Sequence, residues 1–262
     1  MFRYSILYYI RSITRRKLFS SINIIGLSFG IAFMILIGQF LYYEFNYNHE
    51  IKNVENIYRV VDTEGNNYNI DYRMKEQILQ SLPGVKNACV LNHFGIDVNV
   101  GNKFFQLKHM LVVDQDFFNV FKCSFISGNP KEVFNSIDNI VLTEKTAKNI
   151  FGTINVVGKT LRLNHQYDMM IAGVVKDLPE NISFGAELFV NVMNTPKQRI
   201  IYRMSCFTYD GKDDSQCQYP FNVFVELNKN ADIEKIEKQI SSFNKINSFR
   251  FPKKAALTPF KT

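Results

Sequence analysis

The run from Leu18 to Tyr43, LFSSINIIGLSFGIAFMILIGQFLYY, holds no Asp, Glu, Lys, Arg, His or Pro across 26 positions. A helix rises ~1.5 Å per residue and a bilayer's hydrocarbon is ~30 Å thick, so about 20 apolar residues span it. Core helices of soluble proteins rarely run so long without a charge. A cleaved signal peptide has an apolar region of only ~7–15 residues and ends at a small-residue cleavage site. This run ends instead in Phe40, Leu41, Tyr42, Tyr43 and Glu44. The stretch reads as an uncleaved transmembrane helix over 18–43.

Its flanks give an orientation. Residues 1–17 carry Arg3, Arg11, Arg15, Arg16 and Lys17 with no acid, a local charge of +5 that leaves +2 of the chain's +7 for everything else. Cationic flanks stay in the cytoplasm, and Tyr42 and Tyr43 suit the opposite interface. The expected topology has the N-terminus inside and Glu44 onward outside. The basic excess is therefore a topology signal and argues against nucleic-acid binding. Within residues 1–17, Phe2, Ile6, Ile10 and Ile13 share one face and Arg11 and Arg15 another, the pattern of a basic amphipathic segment on the cytoplasmic membrane surface. The alternative is an extension of the spanning helix. Gly26 and Gly30 make a small-xxx-small spacing in the span, a weak signal for helix packing.

Residues 44–262 are enough for one large domain or two small ones, and 24 Phe with 46% hydrophobic content argue for a packed core. In chain order, NIYRVVDTEG reads as a strand ending near Gly65. Ile70, Met74, Ile78 and Leu82 follow at helical spacing, stopped by Pro83-Gly84. VKNACVLNHFGIDVNV and NKFFQLKHMLVVD read as a hairpin turning at Gly101-Asn102. DQDFFNVF reads as one helical turn capped by Asp114 or Asp116, with inward phenylalanines. CSFISG is a strand before the Gly128-Asn129-Pro130 turn.

NIVLT then leads into a helix EKTAKNIF, with Thr143 as cap and Gly152 as stop. TLRLN and YDMMIAGVVKDLP are strands. RIIYRMSCFTYDG and SQCQYPFNVFVELN form a long hairpin, whose second arm alternates Phe221, Val223, Val225 and Leu227 against Asn222, Phe224 and Glu226. An amphipathic helix over NKNADIEKIEKQISSFNKI carries Ile233, Ile236, Ile240 and Phe243 on one stripe, and AALTPF starts a last strand. One β-α-β pattern from Tyr58 and another from Phe221 bracket the middle. The fold class expected is α+β: a split β-α-β subdomain over about 50–128 and 218–262, with a smaller mixed α/β subdomain inserted over about 129–217.

Gly152 to Thr160 imitates a phosphate-binding loop, but five residues separate Gly152 from Gly158 where that motif needs four. Here a helix precedes and a strand follows, the reverse of the required order, so this is a turn. His49, His93, His109 and His165 are scattered without ligand spacing. The four cysteines lack any CxxC pair, so no zinc site is expected. Asp213-Asp214 reads as a solvated loop tip. No catalytic constellation, metal site or cofactor site is expected.

The order of these segments is recognisable. RSITRRKLFSSINIIGLSFGIAFMILI, YYEFNYN and ENIYRV resemble the start of MacB-like (FtsX-superfamily) ABC transporter permeases. LPGV at Leu82 to Val85, VVDQDFFNVFKCSFISGNP, NIVLTEKTAKNIFG, VVGKTLRL, YDMMIAGVVKDLPENISF and FVEL at Phe224 to Leu227 resemble that family's periplasmic core in the same order. The resemblance implies a permease subunit in the bacterial inner membrane. It would not hydrolyse ATP, but would pass the cycle of a separate cytoplasmic ABC ATPase through the first helix to the periplasm. Arg15, Arg16 and Lys17 would hold the cytoplasmic end and residues 46–58 would join helix to domain. Implied partners are the lipid bilayer, the ATPase, a second permease chain and a periplasmic adaptor or substrate protein. Family members carry three further spanning helices after this core, so the chain is expected to be the N-terminal portion of such a permease. The rival reading is a membrane-anchored extracytoplasmic ligand-binding or sensor domain.

Cys206 and Cys217 lie equidistant from the Gly211-Lys212 bond. If the hairpin turns there, they face each other across an antiparallel pair on the oxidising side of the membrane, close enough to bridge in a non-hydrogen-bonded register. A shift of one residue puts them on opposite faces, leaving two unpaired cysteines as the alternative. Mass spectrometry of the non-reduced protein isolated from its membrane decides between the two, a peptide linked through Cys206 and Cys217 being the outcome expected of the bridge. Alkylatable thiols at both positions would remove the bridge.

Overall fold

The computed structural model describes residues 17–45, 48, 51–64, 70–179, 181–193, 220–243, 252 and 254–261. The chain divides into two compact units, one ending at Tyr47 and one beginning at Asn48. The first contains helix α1, Lys17–Phe45, whose 29 residues include none buried within the protein. It is long and apolar enough to cross a membrane. Leu18, Met34 and Phe45 stand 79%, 73% and 76% exposed, an arrangement that water would penalise and lipid would not.

The second unit is β-rich. Asn48 and the segment from Ile51 lead through a short 3₁₀ turn, Val54–Asn56, into β1 (Ile57–Asp62). Then follow β2 (Ile70–Asp71), α2 (Met74–Ser81), and the hairpin β3 (Val85–Val100) and β4 (Lys103–Val113). The turn α3 (Phe117–Val120) and β5 (Phe125–Ser127) follow. Next come β6 (Asn139–Thr143), α4 (Glu144–Phe151), β7 (Thr160–Leu163), β8 (Tyr167–Val175) and β9 (Leu188–Asn191). The last elements are β10 (Pro220–Leu227), α5 (Ile233–Ser241) and β11 (Ala255–Pro259).

The strands make one sheet in the order β11-β1-β10-β3-β4-β9-β6-β8-β5, with β2 added beside β10 and β7 beside β3 and β8. Neighbours pair antiparallel except β4 with β9 and β6 with β8. β10 thus slots between β1 and β3, which are nearer each other in sequence.

Alternation sets the two faces. Phe221, Val223, Val225 and Leu227 of β10 point to the layer that also holds Met74 and Ile78 of α2, Ala147 and Ile150 of α4, and Ile236 and Ile240 of α5. Phe224 points to the opposite layer. That layer is built mainly from phenylalanines: Phe117, Phe118, Phe121, Phe184, Phe189, Phe224 and Phe260, with Phe125 and Phe134 packed against it. Phe117 is fully buried, its ring 4.8 Å from Phe121 and 5.7 Å from Phe189.

The expected elements recur with two corrections. Ile70 is not on the helix with Met74 and Ile78; it lies in β2, opposite Phe221 of β10. Its helical spacing is a coincidence of a strand running into a helix. Asp116 occupies the cap position of α3 but its side chain makes no capping bond, while Asp114 Oδ1 accepts from the Phe117 amide at 3.1 Å. Thr143 caps α4 by accepting from the Thr146 amide, and Gly152 ends the helix at φ 72, a left-handed conformation that glycine adopts without strain. β9 was not anticipated: its four residues are all buried, so they show no alternation to mark a strand. The first arm of the expected long hairpin, with Cys206 and Cys217, lies outside the described residues.

β11 ends the strand order, and α5 blunts its outer edge. Ser241 Oγ accepts from the Ala255 amide at 2.9 Å and Glu237 Oε1 from the Leu257 amide at 2.7 Å. Truncating the core on the other layer tests how much that layer contributes. Phe117→Ala is expected to destabilise the domain by about 3–5 kcal/mol without changing its secondary structure. Urea unfolding followed by far-UV circular dichroism measures the loss.

Candidate functional site

Of the residues that sequence singled out, Lys17 is the first of α1, and Tyr42 and Tyr43 lie in its last turns. Arg11, Arg15 and Arg16 lie outside the described residues, as do Cys206 and Cys217. The two described cysteines, Cys89 and Cys123, are free thiols. Burial pushes Cys89 well above its ordinary value and Cys123 up to about 12, so both stay protonated and unreactive at neutral pH. His93, His109 and His165 are each exposed. Among the described residues no group of three His, Cys, Asp or Glu is placed to hold a metal ion. The Gly152–Thr160 stretch runs from the end of α4 to the first residue of β7, and Lys159 reaches over the Phe151 ring at 5.3 Å.

Three polar ties among the described residues join elements distant in the sequence. The first is Asn48, which two residues separate from the end of α1. It sits at φ 62 and is 1% exposed. Asparagine tolerates this left-handed conformation better than most residues. Its Nδ2 donates to the Phe260 carbonyl at 2.7 Å and to Ser183 Oγ at 2.8 Å, while its Oδ1 accepts from the Ser183 amide at 2.9 Å. Its own amide donates to the Asn181 carbonyl at 2.8 Å. Ile51, Val54 and Ile57 then enter the phenylalanine layer in succession.

The second tie is ionic. Lys75 Nζ of α2 lies 2.6 Å from Asp114 Oδ2 and 2.5 Å from Asp116 Oδ2, where β4 ends. Burial pushes Asp114 up to about 6, against the pull of the Lys75 ammonium. Burial acts to lower Lys75, but Asp114 and Asp116 together outweigh it and hold Lys75 above its ordinary value. The third is Glu226, which takes Lys86 Nζ at 2.9 Å and Asn87 Nδ2 at 2.6 Å. Burial acts to raise its carboxyl; the Asn87 and Lys86 hydrogen bonds prevail and hold it below the usual carboxylate range. A cleft of about 590 Å³ is lined by His109, Thr143, Lys145, Asp177 and Glu187. Its carboxylates are engaged by backbone: Asp177 accepts from the Lys145 amide, and Glu187 from those of Lys108 and His109.

An exposed apolar helix, a buried turn and a two-faced mixed sheet thus follow one another along the chain, and comparison identifies the series. The family described as the MacB-like periplasmic core domain matches residues 20–243. The chain belongs to this family. The match takes in most of α1 and every strand but β11.

Three solved structures share the fold. A domain of a protein described as a permease, from Porphyromonas gingivalis, superposes with a TM-score of 0.63 at 19% identity, covering 80% of this chain and 92% of its own. The periplasmic region of MacB from Actinobacillus actinomycetemcomitans gives 0.54 at 15%, covering 74% and 87%. The extracellular domain of the noncanonic ABC-type transporter YknZ from Gram-positive bacteria gives 0.55 at 11%, covering 78% and 100%. No match was found among curated protein sequences. The protein thus joins a helix long and apolar enough to cross a membrane to a domain of the MacB-like periplasmic core family.

Neither Asn48 nor the Lys75–Asp114 pair was picked out from sequence. The signal for Asn48 was a buried-type spacing directly after it, Ile51, Val54 and Ile57. Nothing in sequence pairs Lys75 with Asp114, 39 positions away.

Asp114 has a pH signature. Its carboxyl ordinarily titrates at 3.8 and in the folded protein at about 6, so between those values the folded state holds the extra proton. Stability from this group is present below about pH 4 and is lost as pH rises to about 6. Wild type is therefore expected to lose up to about 3 kcal/mol relative to Asp114→Asn between pH 4 and pH 7. Denaturant titrations of both proteins across that range check the sign.

Proposed function

We propose that the protein works as a permease subunit of an ABC transporter, lying in the bacterial inner membrane with residues 1–17 cytoplasmic and the domain in the periplasm. A separate cytoplasmic ATPase supplies the energy, and α1 carries its conformational cycle outward to drive export, extraction or signalling. The observation that carries this reading is continuity: one family match runs from residue 20 in the apolar helix to residue 243 in the domain. The positive charge before Leu18 supports the orientation. A second permease chain and a periplasmic adaptor or substrate protein complete the assembly proposed.

Within the domain we propose two halves that move against each other, one from about 50–128 and 218–262 and one from about 129–217. The strand order supports it, since β11, β1, β10, β3 and β4 lie together at one end, and β9, β6 and β8 at the other. β5, which ends at Ser127, pairs with β8 and joins the second group.

A periplasm-dependent reporter fused at Asn66 is expected to be active, and a cytoplasmic reporter at the same position silent. The tagged protein purified from its native membrane is expected to bring down an ABC ATPase, with ATP hydrolysis lost when that subunit is removed. Cytoplasmic fluorescence from the Asn66 fusion reverses the orientation. Recovery with a kinase-type module in place of an ATPase favours the sensor reading.

A further inference from the structure

The entry to the domain has two routes inward. The covalent route runs from Asn48 through Ile51, Val54 and Ile57 into β1, which pairs with β10 and β11. Along the sheet, a displacement from β1 reaches β9 through β10 and β3, and then through β4 or through β7, β8 and β6. Asn48 offers a second route. Asn181 and Ser183 belong to the connection between β8 and β9, and both are hydrogen-bonded directly to it. Its bond to the Phe260 carbonyl leads to the residue after β11, at the opposite end of the strand order. One buried side chain therefore joins the entry segment to the β8–β9 connection and to the segment after β11. Its bond to the Phe260 carbonyl is buried, and those to Ser183 are part-buried.

We propose that Asn48 is the positioning residue that delivers displacement of α1 directly to the β8–β9 half of the domain, in parallel with the route through β1. The proposal rests on the permease reading above for its biological use, and on geometry for its mechanics. Four features suit the role. Only two residues separate Asn48 from Phe45, so little slack intervenes. The left-handed turn at φ 62 is held by hydrogen bonds on both the backbone and the side chain. Ser183 meets Asn48 at two atoms, its amide at 2.9 Å from Oδ1 and its hydroxyl at 2.8 Å from Nδ2. The rings beneath, Phe184 and Phe260, lie 5.8 Å apart, so the two segments that Asn48 joins are already in contact.

Single-molecule pulling on the full chain in detergent tests this. One handle is an N-terminal tag. The other is attached through an encoded azide, either at Asn149 on α4 or at Lys235 on α5; both positions are exposed. Asn48→Gly deletes the side chain while keeping a residue that accepts φ 62. The variant is expected to lower the first rupture force at least twofold with the Asn149 handle and by clearly less with the Lys235 handle, where only the bond to Phe260 is lost. Equal losses with both handles, or no loss with the Asn149 handle, overturn the proposal. If circular dichroism shows that Asn48→Gly does not fold, Ser183→Ala replaces it. That variant removes the hydroxyl contacts and leaves the bond to Phe260, and the same selective loss, smaller in size, is expected. Pulling needs neither ATPase nor cargo, so its failure leaves the permease reading standing, and a failed ATPase recovery leaves this result intact.

Discussion

Burial of a phenylalanine layer on one face of the sheet is the constraint on which the domain depends. Phe121 lies 5.1 Å from Phe184 and 5.4 Å from both Phe224 and Phe260, and these four come from α3, the β8–β9 connection, β10 and the residue after β11. A flat sheet in this strand order would keep Phe260 away from Phe184. Twist and curl bring them together, because aromatic rings bury large areas and gain further from edge-to-face contacts. The opposite face is covered by α2, α4 and α5, so β6 and β9 are buried throughout and their polar backbone is satisfied within the sheet.

The buried polar groups lie where this packing stops. Asp114 stands where β4 ends, caps α3 and holds Lys75 of α2, which ties helices from the two faces to one strand end. Glu226 joins β10 to Lys86 and Asn87 of β3 in a register where Glu226 opposes Asn87. Asn48 closes the entry. Removing one partner from such a group leaves a desolvated charge or amide, which costs more than the bond itself contributes. These ties differ in pH response: Asp114 is raised by burial, whereas hydrogen bonds hold Glu226 low.

The function read here needs no reactive group. Cys89 is buried and Cys123 half-buried, desolvation keeps both thiols protonated, the cleft's carboxylates are engaged by backbone amides, and the family is that of the MacB-like periplasmic core domain.

Much of this was legible in the sequence by itself. A charge-free run of 26 residues determines a helix long and apolar enough to cross a membrane, and the alternation in FNVFVEL, broken only at Phe224, determines a strand whose second face is also partly apolar. Thr143 and Gly152 marked both ends of α4 through local backbone chemistry, which depends on few distant residues. The order of family segments named the domain. What remained for tertiary structure was every pairing between distant residues: β10 between β1 and β3, β9 beside β4, Lys75 with Asp114, and Asn48 with Ser183 and Phe260. The reason is physical. Periodicity reports which side of an element is buried, but strand order and side-chain partners are set by how the faces pack together. A short, wholly buried strand such as β9, or a single asparagine after a membrane helix, has no period to report.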